Sequence, residues 1–287
     1  MKKYYGIILL VFIMLFCLCL VACGDEEKLG TPNGEQEEKT TPSAIVDILK
    51  IGKADCIIIN TGCHILMVDT GERENLSQIH AYMQEKGYEQ IDTLIISHYD
   101  KDHIGGAEEI IRWYGVKTVF ESNFTETTAE YTDYHQAIED TGVTLKKLGE
   151  NARLDLDGIE FDILVPQKKK YNTDKDNNTS LIVSMVCGEK KLLFCGDALE
   201  LRIVELVYDR VGHYDFVKLP HHGTYLENYP MVLEELTPAY CAITCSNKNP
   251  ADEETLSLLS EMGTQVFQTK NGTISISVND KTLAVTQ

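Results

Sequence analysis

The sequence predicts a mixed α/β fold: two mixed sheets packed face to face with helices outside them, an αββα sandwich of four layers. Two observations predict it. First, β-hairpins and helices alternate throughout the folded part of the chain. Second, the two halves share a rhythm of hairpin strands, then a strand ending in a polar cluster, then a helix. Such strands and helices each have an apolar side to bury, and face-to-face sheets with outer helices bury all of them.

The elements follow in order. AIVDILKIGKADCIIINTGCHILMVDTG (44–71) reads as strands joined by turns, with Asn60-Thr61-Gly62 as a hairpin signal. In 74–87, Leu76, Ile79, Tyr82 and Met83 fall at helical spacing and Gly87 ends the run. IDTLIIS (91–97) is a continuous apolar strand, and the charged stretch that follows leads into a helix over IGGAEEIIRWYG. Trp113, behind Ile110 at helical spacing, is expected in the core. VKTVFES is a strand and 131–142 a helix stopped by Gly142. Two hairpins turn at Asp157-Gly158 and Gly188-Glu189. Alternating helices and strands complete the chain, the last strand being TISISV.

The folded domain is expected over 44–287. Residues 1–22 read as a signal peptide, since Lys2 and Lys3 precede an uncharged run from Ile7 to Ala22. The run ends Leu20-Val21-Ala22-Cys23, so Cys23 is the expected lipidation site of an exported, membrane-anchored lipoprotein. An uncleaved anchor is the other reading, less favoured because small residues precede the cysteine as cleavage requires. Residues 23–43 are acidic, hold Pro and Gly and show no apolar period, as a solvated tether would. Removing 1–22 shifts the net charge from −19 to −21. That disfavours nucleic acid, whose binders present a basic face, without excluding a metal-lined cleft that acts on phosphate. Six cysteines (56, 63, 187, 195, 241 and 245) remain in the domain; an even number outside the cell permits disulfides, but most lie in apolar strand-like runs without Cys-x-x-Cys spacing, and buried free thiols are the slightly favoured reading.

Four polar clusters each follow an apolar strand: Asp69, then His98/Asp100/Asp102/His103, then Asp197, then His221/His222. A lone Asp there is more often a helix cap and a lone His-His-Gly a loop. Together they place metal ligands at strand ends, where sites form in α/β folds. On an extended segment His98 and Asp100 point one way, whereas Asp102 and His103, adjacent at a helix start, are expected to diverge. That makes two ligand pairs, as a dinuclear site needs. Gly105-Gly106 permits a tight turn into the helix.

The sequence VDTG (68–71), SHYDKDHIGG (97–106), NNTSLIV (177–183), FCGD (194–197) and KLPHHGT (218–224) resembles the metallo-β-lactamase superfamily. The branch it resembles holds the hydrolase domain of ComEC/Rec2 competence proteins and exported phosphodiesterases such as phosphorylcholine esterases. The resemblance implies that His98 and Asp100 hold one metal, and Asp102, His103 and His221 the other, with Asp197 bridging. Asp69 would sit behind the ligands. His222 is the alternative to His221, or a donor to substrate oxygen. Asn177 and Ser180 stand where relatives more often have a further His, with ligand, substrate-contact and bracing roles all open. Lys248 stands in a run that lacks the relatives' late His, as a possible replacement in substrate binding.

Asp100 takes the place of the commoner motif's His, so the site is oxygen-rich and shifts from Zn²⁺ toward Mn²⁺. Two divalent ions, Zn²⁺ or Mn²⁺, are expected. Three ligand carboxylates leave such a pair net positive, which suits a phosphodiester. The implied reaction is attack by a metal-bridging hydroxide, with Asp102 and His222 as catalytic residues. A lactonase or β-lactam-type hydrolase and a non-enzymatic metal-binding lipoprotein are the alternatives. No protein partner is evident. Lys168-Lys169-Lys170 reads as a solvated loop, His64, His80, His135 and His213 as satisfied or surface histidines, and Tyr225 and Tyr229 as pocket candidates.

Overall fold

The computed structural model describes residues 41–168, 170–171, 176–209 and 211–287. The expected signal peptide, Cys23, the tether up to residue 40, and Lys169 lie outside the described residues.

Among the described residues, fifteen strands form two sheets. The first holds β1 (Ser43–Ile48), β2 (Ile57–Asn60), β3 (Ile65–Val68), β4 (Thr93–Ile95), β5 (Thr118–Ser122), β6 (Thr144–Leu148), β14 (Ile274–Asn279) and β15 (Leu283–Thr286), in the order β15-β14-β1-β2-β3-β4-β5-β6. The second holds β7 (Ala152–Leu156), β8 (Ile159–Leu164), β9 (Ile182–Cys187), β10 (Lys190–Phe194), β11 (Phe216–Lys218), β12 (Tyr240–Ile243) and β13 (Gln265–Gln268), in the order β13-β12-β11-β10-β9-β8-β7. Both sheets are mixed. The strands β3 to β6 run parallel, as do β10 to β13, and the hairpin strands pair antiparallel.

Alternation along the strands builds the layers. One set of side chains, including Val46, Ile57, Leu66, Phe161, Val183 and Phe194, forms the core between the sheets. The opposite face of the first sheet packs on α1 (Leu76–Lys86), α3 (Ala107–Trp113) and α4 (Ala129–Thr141) through Met67, Ile79, Ile110 and Ala137. That of the second sheet packs on α5 (Glu200–Tyr208), α6 (Tyr229–Leu236) and α7 (Glu253–Glu261) through Leu193, Ile203, Leu233 and Leu259. This is the αββα sandwich expected. A one-turn helix, α2 (Lys101–Ile104), lies at the strand ends.

The structure differs from expectation at particular points. Strands β6 and β15 were not foreseen: TLKKL and LAVT are partly exposed edge strands without a full apolar face. Trp113 is 52% exposed, its ring edge-on to His80, and is not core. Gly105 and Gly106 form the turn between α2 and α3, as expected, and also permit close packing. A Cβ at Gly105 would lie 2.3 Å from the Lys101 carbonyl oxygen, and one at Gly106 2.6 Å from that of Thr70. The six domain cysteines are all free; Cys63 is exposed and the other five are buried, as expected.

Candidate metal centre

The ends of β3, β4, β10 and β11 lie along one edge of the sandwich, where the two sheets come together. Parallel pairing brings Asp69, His98, Asp197 and His222 to that edge. The Leu181 N–H donates to the Ser97 carbonyl at 2.8 Å and so ties the two sheets there.

The backbone at the edge is unusual. Asp69, His221 and His222 all occupy left-handed φ, at 60°, 46° and 56°. Such conformations are costly for residues with a Cβ and persist where surroundings enforce them. At Asp69 that enforcement is visible. Its carboxylate accepts from the Ser97 N–H (2.7 Å), the Ser97 hydroxyl (2.6 Å) and His103 Nδ1 (2.8 Å).

These contacts fix two tautomers. A carboxylate only accepts, so His103 carries a proton on Nδ1 and turns Nε2 into the site. The Ser97 hydroxyl spends its proton on Asp69 and therefore accepts from His98 Nδ1 at 3.0 Å, which turns His98 Nε2 into the site as well. These nitrogens and His222 Nε2 face acids. His103 Nε2 is 3.3 Å from Asp197 Oδ2, His222 Nε2 is 3.1 Å from the same oxygen and 3.2 Å from Asp102 Oδ2, and His98 Nε2 is 3.6 Å from Asp100 Oδ2.

Despite these distances, His98 Nε2, His103 Nε2 and His222 Nε2 are enclosed and make no hydrogen bond among the described residues. A cluster of buried, unpartnered donors and acceptors is costly without a ligand. His98, His103 and Asp197 form one group of ligand atoms mutually within 4.8 Å, and Asp102, His103 and His222 form another. Imidazole nitrogen and carboxylate oxygen are ligands for divalent transition metals, so the donor set fits a cation pair.

Electrostatics agree with that fit. Burial works against charge at His103 and His222, yet the facing carboxylates, Asp197 foremost, outweigh it. His103 is raised well above its ordinary value and His222 to about 9. Burial likewise works against Asp197 and Asp102, but His222 and His103 hold both carboxyls below the usual range. His221 goes the other way: burial lowers it.

The other expected residues are placed as follows. Asp102 and His103 do not diverge: both join His222 in one group. His221 belongs to neither metal-ligating group, and its Nδ1 is enclosed without a partner. Asp100 lies at the rim, its side chain 41% exposed. Ser180 is buried and its hydroxyl accepts from the Asp197 N–H at 3.3 Å. Asn177, in a single turn just before Ser180, has an enclosed Oδ1 without a partner. Lys248 is exposed in the loop after β12, and no hydrogen bond or ion pair links it to the cluster. Tyr229 is buried, its hydroxyl on the Pro220 carbonyl, with the Tyr225 ring against it edge-on. His64, His80, His135 and His213 each find a partner, respectively Asp157, Tyr114, Glu121 and Thr237.

Sequence reasoning missed Asp55, Lys218 and Lys53. Asp55 and Lys218 form a buried ion pair under the cluster, and Lys53 Nζ is 2.7 Å from Asp102 Oδ2 at its mouth. A lysine inside the apolar strand FVK was the available signal.

The metallo-beta-lactamase superfamily model matches residues 50–240. The chain belongs to this superfamily. It is thus an enzyme of the metallo-β-lactamase class of metal-dependent hydrolases. Its curated relatives are competence proteins. It is 24% identical over 253 residues to ComE operon protein 3 of Bacillus subtilis, covering 80% of this chain and 32% of that one. It is 24% identical over 220 residues to Recombination protein 2 of Haemophilus influenzae, covering 75% and 26%. The chain thus spans about a third or less of these relatives and lies in their ComEC/Rec2-like branch of the metallo-β-lactamase superfamily. Among solved structures, YhfI of Bacillus subtilis, a metallo-β-lactamase fold protein, is similar at a TM-score of 0.58 and 12% identity, over 83% of this chain and 100% of that one. CmlA, a diiron β-hydroxylase of Streptomyces venezuelae, is similar at 0.52 and 13%, over 87% and 55%. These likenesses are of fold.

Proposed function

We propose that the protein is an exported dinuclear metallohydrolase that cleaves phosphodiesters. The observation that carries this reading is the convergence of three enclosed imidazole Nε2 atoms, those of His98, His103 and His222, on the buried Asp102 and Asp197 carboxylates. His98, Asp100 and Asp197 would hold one divalent ion, and Asp102, His103 and His222 the other, with Asp197 shared. His222 thus takes the ligand role that the resemblance gave to His221. Zn²⁺ and Mn²⁺ are the candidates, the carboxylate share favouring Mn²⁺. When bound, the ions supply Lewis acidity and an activated water.

The chain's own side chains do the rest. Asp69 and Ser97 aim the imidazoles, and Ser180 steadies the Asp197 backbone. Lys53, its side chain 40% exposed at the mouth, is placed to meet a phosphate oxygen once a metal takes over Asp102. His221, kept neutral by burial, is available to donate to or accept from a substrate oxygen. A cavity of about 200 Å³ is lined by Tyr99, the chain neighbour of His98 and Asp100, with Phe124, Glu126, Lys170, Tyr171 and Asp176. It offers room for a small ester and only one lysine for phosphate. Together with the net charge of −19, this favours a small envelope phosphodiester over DNA.

Anchoring through a lipid on Cys23 would place the enzyme outside the membrane, with 23–43 as tether; Cys23→Ala should release it from the membrane fraction. Metal-reconstituted protein offered DNA, p-nitrophenylphosphorylcholine, bis-p-nitrophenyl phosphate and a lactone side by side tests the reaction. Phosphodiester cleavage that needs metal and disappears in Asp102→Ala is expected. Lactone opening with the phosphodiesters left intact would refute it.

A further inference from the structure

A third group of ligand atoms lies beneath the two already described. One oxygen each of Asp55 and Asp69 and one nitrogen of His103 are mutually within 4.8 Å, and all three residues are buried. Two internal donors already engage these acids. His103 Nδ1–H donates to Asp69 at 2.8 Å. The Lys218 ammonium, fully buried, pairs with Asp55 and donates to the Gly196 carbonyl at 3.2 Å. Asp197 Oδ1 is 3.9 Å from the same ammonium.

A buried ion pair is a poor device for stability alone, since desolvation of both charges offsets much of their attraction. Lys218 ends a strand flanked on both sides by β10 and β12, where an apolar side chain would pack without that cost. Its partners are two oxygens, the Asp55 carboxylate and the Gly196 carbonyl, with a third at Asp197. That is a donor set a hard divalent cation would take.

We propose that Lys218 is a resident cation that holds Asp55 of the third ligand group, so that the centre accepts two divalent ions and not three. The proposal rests on the two-metal reading above. Lys218 is a positioning residue. It holds Gly196, whose left-handed φ of 54° precedes Asp197, and a divalent ion in its place would compete with the centre for Asp197 Oδ1.

The test uses the full chain loaded with excess Mn²⁺, freed of loose metal by gel filtration and counted by elemental analysis. Lys218→Met should carry one more equivalent than the wild type, and Asp55→Asn/Lys218→Met should carry the wild-type number. Equal counts in Lys218→Met and wild type overturn the proposal. The wild-type count itself tests the two-metal reading separately. Lys218→Met leaves Asp55 charged and unpaired, so thermal melts run alongside. Mn²⁺ should raise its Tm more than that of the wild type or the double variant. If Lys218→Met stays unfolded with Mn²⁺ while the double variant folds, a divalent ion cannot replace the ammonium and the proposal fails. If neither variant folds, Lys218 is required for packing and the proposal fails as well.

Discussion

Asp69 shows how one carboxylate orients two imidazoles. It holds His103 directly and His98 through the Ser97 hydroxyl, and in both cases the free nitrogen is Nε2. Removing such an outer partner usually costs about 10–100-fold in metal affinity. Asp69→Ala should therefore weaken metal binding by about that factor, read by calorimetric titration; an unchanged affinity would contradict its orienting role. Protonation gives a second expectation. The acids raise the metal-free His222 to about 9, so at neutral pH a metal must displace its proton. Affinity should rise with pH up to that value, and titrations in buffers of different ionisation heat should show net proton release. An affinity flat with pH would count against His222 as a ligand. At this scale the sequence showed most of the cluster, because His and Asp after apolar strands are visible in one dimension. It did not show which of His221 and His222 turns inward, since that depends on two successive left-handed residues. Asp55 was hidden because it is unremarkable until the sheets bring it to Lys218, whose place in an apolar strand was the one visible signal.

Between elements, Asp157 does for the far end of the sandwich what the Ser97–Leu181 bond does at the site. It sits in the β7–β8 turn at a left-handed φ of 58° and accepts from Thr61 (2.6 Å) and from the Cys63 N–H (2.9 Å) in the β2–β3 turn. His64 lies 3.1 Å away. Burial alone would raise its carboxyl, but these contacts hold it at about 2, below the ordinary 3.8. A lowered folded-state value adds stability above the ordinary value and loses it as pH falls toward the folded one. The wild type should thus be more stable than Asp157→Asn at pH 5, with the gap closing toward pH 2 in denaturant melts. A gap that persists at pH 2 would remove charge from the explanation. Hairpins at Asn60-Thr61-Gly62, Asp157-Gly158 and Gly188-Glu189 were legible because turn residues interrupt apolar runs. The edge strands β6 and β15 were not, since an edge strand need not carry a buried face.

Across the whole molecule, two mixed sheets close over a shared core and leave the ends of their parallel strands side by side. The αββα architecture was readable from the alternation of hairpins and helices, because layering follows from which faces must be buried. Which ligand atoms share one ion was not, because that is set by the approach of two sheets far apart in sequence. An acidic chain with a net charge of −19 concentrates five of its acids (Asp55, Asp69, Asp100, Asp102 and Asp197) around three imidazoles and two lysines. Divalent cations are the counter-charge that completes such a centre. The central claim is therefore the identity and number of the ions and their ligands. Crystals of the Mn²⁺-loaded protein, measured on both sides of the manganese absorption edge, test it most directly. The account predicts two anomalous peaks flanking Asp197, with His222 Nε2 on one of them and His221 on neither. A single peak, or His221 in place of His222, would contradict it.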